Sequence, residues 1–489
     1  MIDPDGARAG GGQDVQPEVE LKLDLEPERV NAFLDWAGLP PDHAVDRLQA
    51  VYFDTPDRDL ARRGFSLRIR RSGRRRIQTV KAGGKGSAGL FSRDEWEMPV
   101  RGGTPLLDDR TPVATVLGER TALIAPAFSV EVERRTWRIV EGDAAIELVL
   151  DRGMIRADGR EEPVCEIELE LKAGDPSALF ALARRIDGEV PVRPAVLTKS
   201  ERGYRLCDAP PPFFRAEPLA LDPATSIEGA FLQIMAAALR HYRLNEALLF
   251  DHYRPEALHQ ARVAVRRLRT ALTLFAPLLA KADARAFQAE LRWLAHSLGD
   301  ARDLDVLLPR LAPDDPQRPI IEQAQAAAHR RVLQGLHSAR VRMLLIDLVA
   351  WLAARPIRRK GAKPAAHFAA ARLGKYRRRI ARRGKHLARL TDEARHAVRK
   401  DAKKLRYGAE FFAGLFDRKR HRRRRKAFID RLARLQEELG ALNDLANAPA
   451  TLARYGMTAN FSPVEREALL AAAARAQENF ADLRGFWRP

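Results

Sequence analysis

The alternation in Glu18-Val-Glu-Leu-Lys22 limits what this chain can fold into more than any other stretch. Side chains two residues apart on an extended strand share a face. One face of such a strand carries Glu18, Glu20 and Lys22, and the other carries Val19 and Leu21. Alone, the pattern describes a half-buried strand with a solvated polar face. It recurs, however, in Glu166-Ile-Glu-Leu-Glu-Leu-Lys172, and arginines stand at the same spacing between, as in Leu67-Arg-Ile-Arg70. Strands whose charged faces point into a closed barrel would gather carboxylates and cations in one lumen. Such a lumen suits a divalent metal ion and a polyanionic phosphate.

At 489 residues the chain is long enough for two or three domains. Its formal net charge of +20 is unevenly placed. Residues 1–208 hold 32 Lys+Arg against 37 Asp+Glu, a net −5, and the remainder holds 53 against 28, a net +25. A mildly acidic half joined to a strongly basic one directs the second half towards a polyanion. Cys165 and Cys207 stand in no metal-ligand spacing, and residues 1–16 lack the apolar core of a signal peptide. The most apolar stretch, Met343 to Ala354, is too short to span a bilayer. These features predict a cytoplasmic protein with no membrane span.

Residues 1–16 are expected to form a disordered tail. From 17 to 207, short alternating segments bounded by turns predict strands around 49–54, 65–70, 74–81, 93–100, 127–140, 145–150 and 163–172. Helices are expected at 27–38 and 175–186, and a Gly-rich loop at 81–89. Pro210-Pro-Pro212 and Pro223 mark a Pro-rich linker over 208–222. Helical periodicity dominates from 223 to 489, and Arg355-Pro356 with Gly361 divides this region into halves of about 223–353 and 365–489. The fold class is therefore α+β multidomain: a β barrel with a polar interior, followed by an all-α pair of repeated helical bundles.

The helical halves are repeats. The run from His259 to Phe275 matches that from His396 to Phe412, and Leu298-Gly-Asp-Ala-Arg-Asp-Leu304 matches Leu439-Gly-Ala-Leu-Asn-Asp-Leu445. On a helix, His259, Arg262, Arg266 and Arg269 fall within an arc of about 80°. Ala264, Leu268, Ala271 and Phe275 lie opposite. The second repeat places His396, Arg399, Lys403 and Arg406 opposite Leu405, Ala409 and Phe412. One such helix would ordinarily carry a solvated basic face. Here carboxylates are nearly absent from both faces, so like charges repel without relief, and the set appears twice in register. That points to a phosphate-binding strip. The histidines are either phosphate contacts or structural residues. The run His421 to Lys426 reads as a solvated basic loop.

Residues 17–207 resemble the CYTH domain, a triphosphate tunnel metalloenzyme. The resemblance rests on Glu18-x-Glu20-x-Lys22, Tyr52-Phe-Asp-Thr-Pro56, Leu67-Arg-Ile-Arg70, the lysine of Thr79-Val-Lys81, and Arg93-x-Glu95-x-Glu97. It continues through the arginine three before Trp137, Leu150-Asp-Arg-Gly153, Glu166-x-Glu168-x-Glu170 and Lys199-Ser-Glu-Arg-Gly-Tyr204. Residues 223–489 resemble the CHAD domain, the conserved histidine α-helical domain, through the two His-containing helices.

The CYTH resemblance implies an eight-stranded antiparallel tunnel that binds a triphosphate end-on. Lys22, Arg68, Arg70, Lys81, Arg93, Arg134 and Lys199 would hold phosphate oxygens, Arg134 being preferred to Arg135 on the spacing to Trp137. Glu18 and Glu20, with members of the set Glu166, Glu168 and Glu170, would bind Mg²⁺ or Mn²⁺. Glu18, Glu20, Lys22, Glu168 and Glu170 form the expected catalytic set. Asp54, Glu95, Glu97, Glu147 and Asp151 would be outer supports or structural ion-pair partners. The CHAD resemblance implies inorganic polyphosphate as partner, held by His259, Arg262, Arg266, Arg269, His396, Arg399, Lys403 and Arg406, with association to polyphosphate granules. The expected function is a metal-dependent triphosphatase acting on inorganic tripolyphosphate or a similar short chain, tethered to longer polyphosphate. Its rivals are a non-enzymatic polyphosphate-granule protein and a tunnel acting on thiamine triphosphate or ATP, including ATP cyclisation. Nucleic acid is disfavoured because stacking aromatics are sparse on the basic faces.

Overall fold

The computed structural model describes residues 18–82, 89–357, 361–454, 456 and 463–487; the tail expected over 1–16 and most of the loop expected at 81–89 lie outside the described residues. The chain divides into two compact units, residues 1–211 with 345–353, and residues 212–344 with 354–489.

The first unit is built on one antiparallel sheet. Its strands are β1 (Glu18–Leu25), β2 (Ala44–Asp54), β3 (Phe65–Ser72), β4 (Arg75–Ala82), β5 (Leu90–Arg93), β6 (Glu95–Pro99), β7 (Ala125–Glu141), β8 (Ala144–Ala157), β9 (Arg160–Ala173) and β10 (Val192–Pro194). Their order is β10-β1-β9-β8-β7-β2-β3-β4-β6, with β5 also on β1. The single strand expected at 93–100 is in fact two. Asp94 alone separates β5 from β6, yet β5 pairs with β1 while β6 pairs with β4. This break carries the chain from one edge of the curled sheet to the other. With β5 and β6 counted as one broken stave, and β10 as an extension beside β1, the wall has the eight positions expected.

The inward faces change character along their length. On β7 the inward row runs Phe128, Val130, Val132, Arg134; on β8 it runs Ala157, Ile155, Gly153, Asp151; on β9 it runs Val164, Glu166, Glu168. The apolar members join Leu48, Ala50 and Tyr52 of β2 in one buried cluster. One end of the lumen is therefore filled by hydrocarbon and the other is charged. Helix α1 (Ser177–Glu189) buries Leu179, Leu182, Ala183 and Ile186 and packs on β7 and β9. Helix α2 (Lys199–Leu206) lies where the two lumen environments meet. Tyr204, Leu206 and Cys207 pack on the apolar cluster, while Thr198, Lys199 and Ser200 face the charged end. Cys165 and Cys207 are both free thiols.

The second half is helical: α3 (Ile227–Asp251), α4 (Pro255–Phe275), α5 (Lys281–Ser297), α6 (Gly299–Leu307), α7 (Arg318–His337), α8 (Ala339–Ala353), α9 (Ala365–Arg383), α10 (Asp392–Phe411), α11 (Lys419–Ala453) and α12 (Pro463–Ala481). The paired histidine motifs lie on α4 and α10. Ala264, Leu268, Ala271 and Phe275 are buried, as are Leu405, Ala409 and Phe412. The two helices meet: Arg267 donates to Glu410 at 2.6 Å, and the rings of Phe275 and Phe412 lie 5.9 Å apart. The repeats differ at the Leu-Gly motif. Leu298-Gly299 breaks the chain between α5 and α6, whereas its counterpart Leu439-Gly440 lies inside α11, a helix of 35 residues that also takes in His421 to Lys426, expected as a loop.

Within the Pro-rich stretch, Phe214 is fastened to α3. Its N–H donates to Oδ1 of Asn245 at 3.0 Å, and its carbonyl accepts from Nδ2 of Asn245 at 2.9 Å. Prolines forbid a helix here, so the backbone polar groups find side-chain partners instead. Among the described residues no helix is long and apolar enough to cross a membrane.

Candidate active site

A cavity of about 570 Å³ occupies the charged end of the lumen. Of the residues expected there, Glu20, Lys22, Arg68, Arg70, Lys81, Arg134, Glu168, Glu170 and Lys199 line it. The side chains of Glu18 and Arg93 lie outside the described residues; only the backbone pairing that sets Glu18 opposite Arg93 places them. Register explains the convergence. Lys22 stands opposite Glu168 and Glu20 opposite Glu170 across β1 and β9, while Asp151 stands opposite both Glu166 and Arg134. Residues opposite each other on one face of a sheet are direct neighbours. Arg134 lines the cavity, whereas Arg135 lies on the other face of β7 and pairs with Glu133 at 3.1 Å.

The centre is a buried set of alternating charges. Lys199 Nζ lies 2.6 Å from Asp151, 2.5 Å from Glu166 and 3.0 Å from Glu168. Lys22 pairs with Glu168 and lies 3.3 Å from Glu20. Arg134 grips Asp151 through two bonds of 2.8 and 2.6 Å and reaches Glu168 at 3.0 Å. Burial pushes the carboxyl of Glu168 up, but Lys199, Lys22 and Arg134 outweigh it and hold the group well below the usual carboxylate range. Burial also raises Asp151, and Lys199 and Arg134 overturn it. At Glu166 burial prevails over Lys199 and Lys22, and the carboxyl sits above its usual range. Burial pulls both ammonium groups down, yet Glu168 at Lys22 and Asp151 at Lys199 lead the charges that hold them above the usual lysine range.

Asp151, Glu166 and Glu168 are buried, and one ligand oxygen from each lies within 4.8 Å of the others. Oε2 of Glu166 is buried and makes no hydrogen bond, although the guanidinium of Arg202 lies 3.6 Å from it. Hard carboxylate oxygens gathered in this way fit Mg²⁺ or Mn²⁺. Glu20 and Glu170 stand on the cavity wall outside this tight group, with Glu170 2.5 Å from Lys172. Asp151 is an ion-pair partner of Arg134 and Lys199, as expected for one of the two roles considered, and it also stands within the acidic group. Its signal was the alternation Glu147, Val149, Asp151, which a central valine interrupts. Glu147, Lys172, Thr198 and Ser200 also line the cavity and were not singled out as ligands.

The opposite wall favours an anion. Burial, then Arg68 and Arg134, pushes the Arg70 guanidinium down, although Glu97 lies 3.6 Å away. Nε of Arg68 is buried without a hydrogen-bond partner, and its Nη1 donates to the hydroxyl of Tyr52 at 3.4 Å. Lys81 pairs with Glu95 at 2.9 Å.

In the helical half, the two basic rows converge. Arg266 of the first repeat acts on Arg262 and Arg269 beside it and on Arg399 and Lys403 of the second. Burial, then Arg266 and Arg399, holds the Lys403 ammonium down to about 7. Nε atoms of Arg269 and Arg399 are buried without hydrogen-bond partners, and Nε of Arg406 lies 3.4 Å from Glu410. Burial, then Arg302, lowers His259 to about 4, so this ring is neutral. Nδ1 of His396 donates to Oδ1 of Asn443 at 2.6 Å, which fixes that ring against α11.

Residues 16–204 match the family model of the CYTH domain and residues 233–453 match that of the CHAD domain, so this chain joins a CYTH domain to a CHAD domain. An inorganic triphosphatase of Haemophilus influenzae is 31% identical over 199 residues, which cover 39% of this chain and 54% of that protein. The match thus spans about half the length of that relative. An uncharacterized protein of Mycobacterium tuberculosis is 29% identical over 438 residues, covering 80% of this chain and 82% of that protein. Among solved structures, the crystal structure of the CHAD domain from the plant Ricinus communis is 30% identical, covers 56% of this chain and 98% of its own, and superposes with a TM-score of 0.47.

Proposed function

We propose that the CYTH domain is a metal-dependent triphosphatase acting on inorganic tripolyphosphate or a similar short chain, and that the CHAD domain holds long-chain polyphosphate. The carrying observation is the make-up of the cavity wall. Cations from several strands and from α2 face carboxylates, and among the described lining residues Val149 is the one aliphatic side chain. Among those same residues Tyr52 is the one aromatic, and its ring is covered by Phe128 at a centroid distance of 4.5 Å. The described wall therefore offers a nucleobase or thiamine ring no open face to stack on, which favours a bare phosphate chain. The 31% identity to a protein named an inorganic triphosphatase supports the same class.

A divalent ion held by Asp151, Glu166 and Glu168, with Glu20 and Glu170 nearby, would supply charge neutralisation on the phosphate and a lowered pKa for water. The chain's own cations bind and orient: Arg68, Arg70 and Lys81 on one wall, and Lys22, Arg134 and Lys199 on the other. No protein nucleophile is needed. Water adds to the terminal phosphorus, the bond to the bridging oxygen breaks, and the charge returned to that oxygen meets these fixed cations. In the helical half, the convergence of Arg266 with Arg399 and Lys403 supports one strip for a long polyanion.

The test is phosphate release from tripolyphosphate by the full chain with Mg²⁺, with Mn²⁺ and with chelator, repeated with Glu20→Gln. Metal-dependent release lost in the variant is the expected result. Undiminished release under chelator would overturn the metal requirement. No release under any metal, with long polyphosphate still bound, would make this a non-enzymatic binding protein.

A further inference from the structure

Lys199 owes its place among three carboxylates to the way α2 is docked, and the docking has a latch at its far end. Asp54, which ends β2, is 2% exposed and accepts four hydrogen bonds. Three come from the backbone of the following turn: Thr55 N at 2.7 Å, Leu60 N at 2.9 Å and Ala61 N at 3.0 Å. The fourth comes from the hydroxyl of Tyr204, at 2.8 Å from Oδ2. Arg58 in the same turn completes the latch, pairing with Asp208 at 2.7 and 3.0 Å and reaching the Tyr204 carbonyl at 3.4 Å.

The helix sits unusually close to the wall it is latched to. A Cβ at Gly203 would lie 2.1 Å from the Phe128 ring, so glycine alone permits this approach. The Tyr204 ring meets the edge of Phe128 at 5.0 Å, Phe128 stacks on Tyr52, and Tyr52 accepts from Arg68. At the near end, Thr198 and Glu201 form a reciprocal cap that starts the helix at Lys199. Both ends of an eight-residue helix are thus fixed. Its rotation and depth decide where the ammonium of Lys199 stands.

We propose that Tyr204, held by the buried carboxylate of Asp54, is a positioning residue that sets Lys199 for phosphate binding and turnover. Tyr204 touches neither substrate nor the acidic centre; it acts through the helix. The proposal rests on the triphosphatase reading and deepens it.

The experiment is a double-mutant cycle in the full chain, pairing Tyr204→Phe with Lys199→Met and reading kcat and KM for tripolyphosphate. Loss of one hydrogen bond to a buried carboxylate is expected to lower kcat/KM about tenfold in the Lys199 background. In the Lys199→Met background the same change should cost nothing further. The ring contact with Phe128 survives in Tyr204→Phe, but Asp54 loses one donor, so the melting temperature should fall by a similar amount in both backgrounds and only the loss in kcat/KM should depend on Lys199. Gly203→Ala, which forces α2 away from Phe128, should show the same background dependence. Equal losses in kcat/KM in both backgrounds, or no loss in either, would overturn the positioning role. If wild type releases no phosphate, the triphosphatase reading itself fails. The cycle is then read in tripolyphosphate affinity by calorimetry, where the same coupling is expected and its absence refutes the latch.

Discussion

Replacing Lys199 by Met should move metal and phosphate affinity in opposite directions. Asp151, Glu166 and Glu168 offer three carboxylates, and Lys22, Lys199, Arg134 and, 3.6 Å from Glu166, Arg202 answer them with four cations. A divalent ion must therefore share its ligands with the Lys199 ammonium, which stands 2.5–3.0 Å from all three. A double and a single like charge about 4 Å apart repel by about 8 kcal/mol at an effective dielectric of 20, an upper bound on what the ammonium would cost an ion sharing those oxygens. A gain in metal affinity of at least about 1.4 kcal/mol, or tenfold, is expected for Lys199→Met. The assay is calorimetric titration with Mn²⁺ at pH 8, without phosphate. The alkaline pH matters because burial already raises Glu166 against the pull of Lys199, and removing that lysine raises it further. Tripolyphosphate, titrated separately under chelator, should bind more weakly for want of a cation. Mn²⁺ binding that is unchanged or weaker in the variant would refute competition for one set of oxygens.

Glu168→Gln should destabilise the CYTH domain by about 3 kcal/mol near neutral pH, measured by urea denaturation, because two buried lysines and the half-buried Arg134 lose a shared anion. Glu168 is depressed in the folded state, so its contribution is present above the unfolded carboxylate range and lost as pH falls through the folded value. The gap between variant and wild type should therefore close in acid; a constant gap would contradict the assignment. In the CHAD domain, Lys403, held down to about 7, is charged at pH 6 and neutral at pH 8 in the free protein. A bound polyanion favours the charged form, so long-chain polyphosphate should bind more tightly at pH 6 than at pH 8 at fixed salt. Lys403→Met should flatten that difference, and a flat wild-type profile would rule it out.

Much of this was legible because charge alternation survives as register. Glu20, Lys22, Glu168 and Glu170 each sit on a strand whose other face is apolar, so a period of two placed them on one wall before any pairing was known. The helical repeat was equally readable, since a period of 3.6 set its arginines opposite buried Leu268 and Leu405. Two features were hidden for physical reasons. Asp151 belongs to the centre only because β8 stands between Arg134 on β7 and Glu166 on β9, and strand order is not written in local pattern. The break at Asp94 was hidden because both sides of it read as extended chain; only pairing with different neighbours separates β5 from β6. The role of Tyr204 was similarly out of reach, since its partner Asp54 lies 150 residues earlier.

The hydrocarbon that fills one end of the lumen, from Leu48 to Val164, has a kinetic corollary. If the CYTH domain acts on phosphate chains as proposed, the described residues at that end leave a polymer no apolar-free way through, and a terminus would reach the acidic centre more readily than an interior unit. The speed at which such a protein consumes a pool of polymer would then count the tips present rather than the phosphorus they contain. A few very long molecules would be nearly inert where the same mass of fragments is consumed quickly, and a ring, having no tip, would be invisible to it.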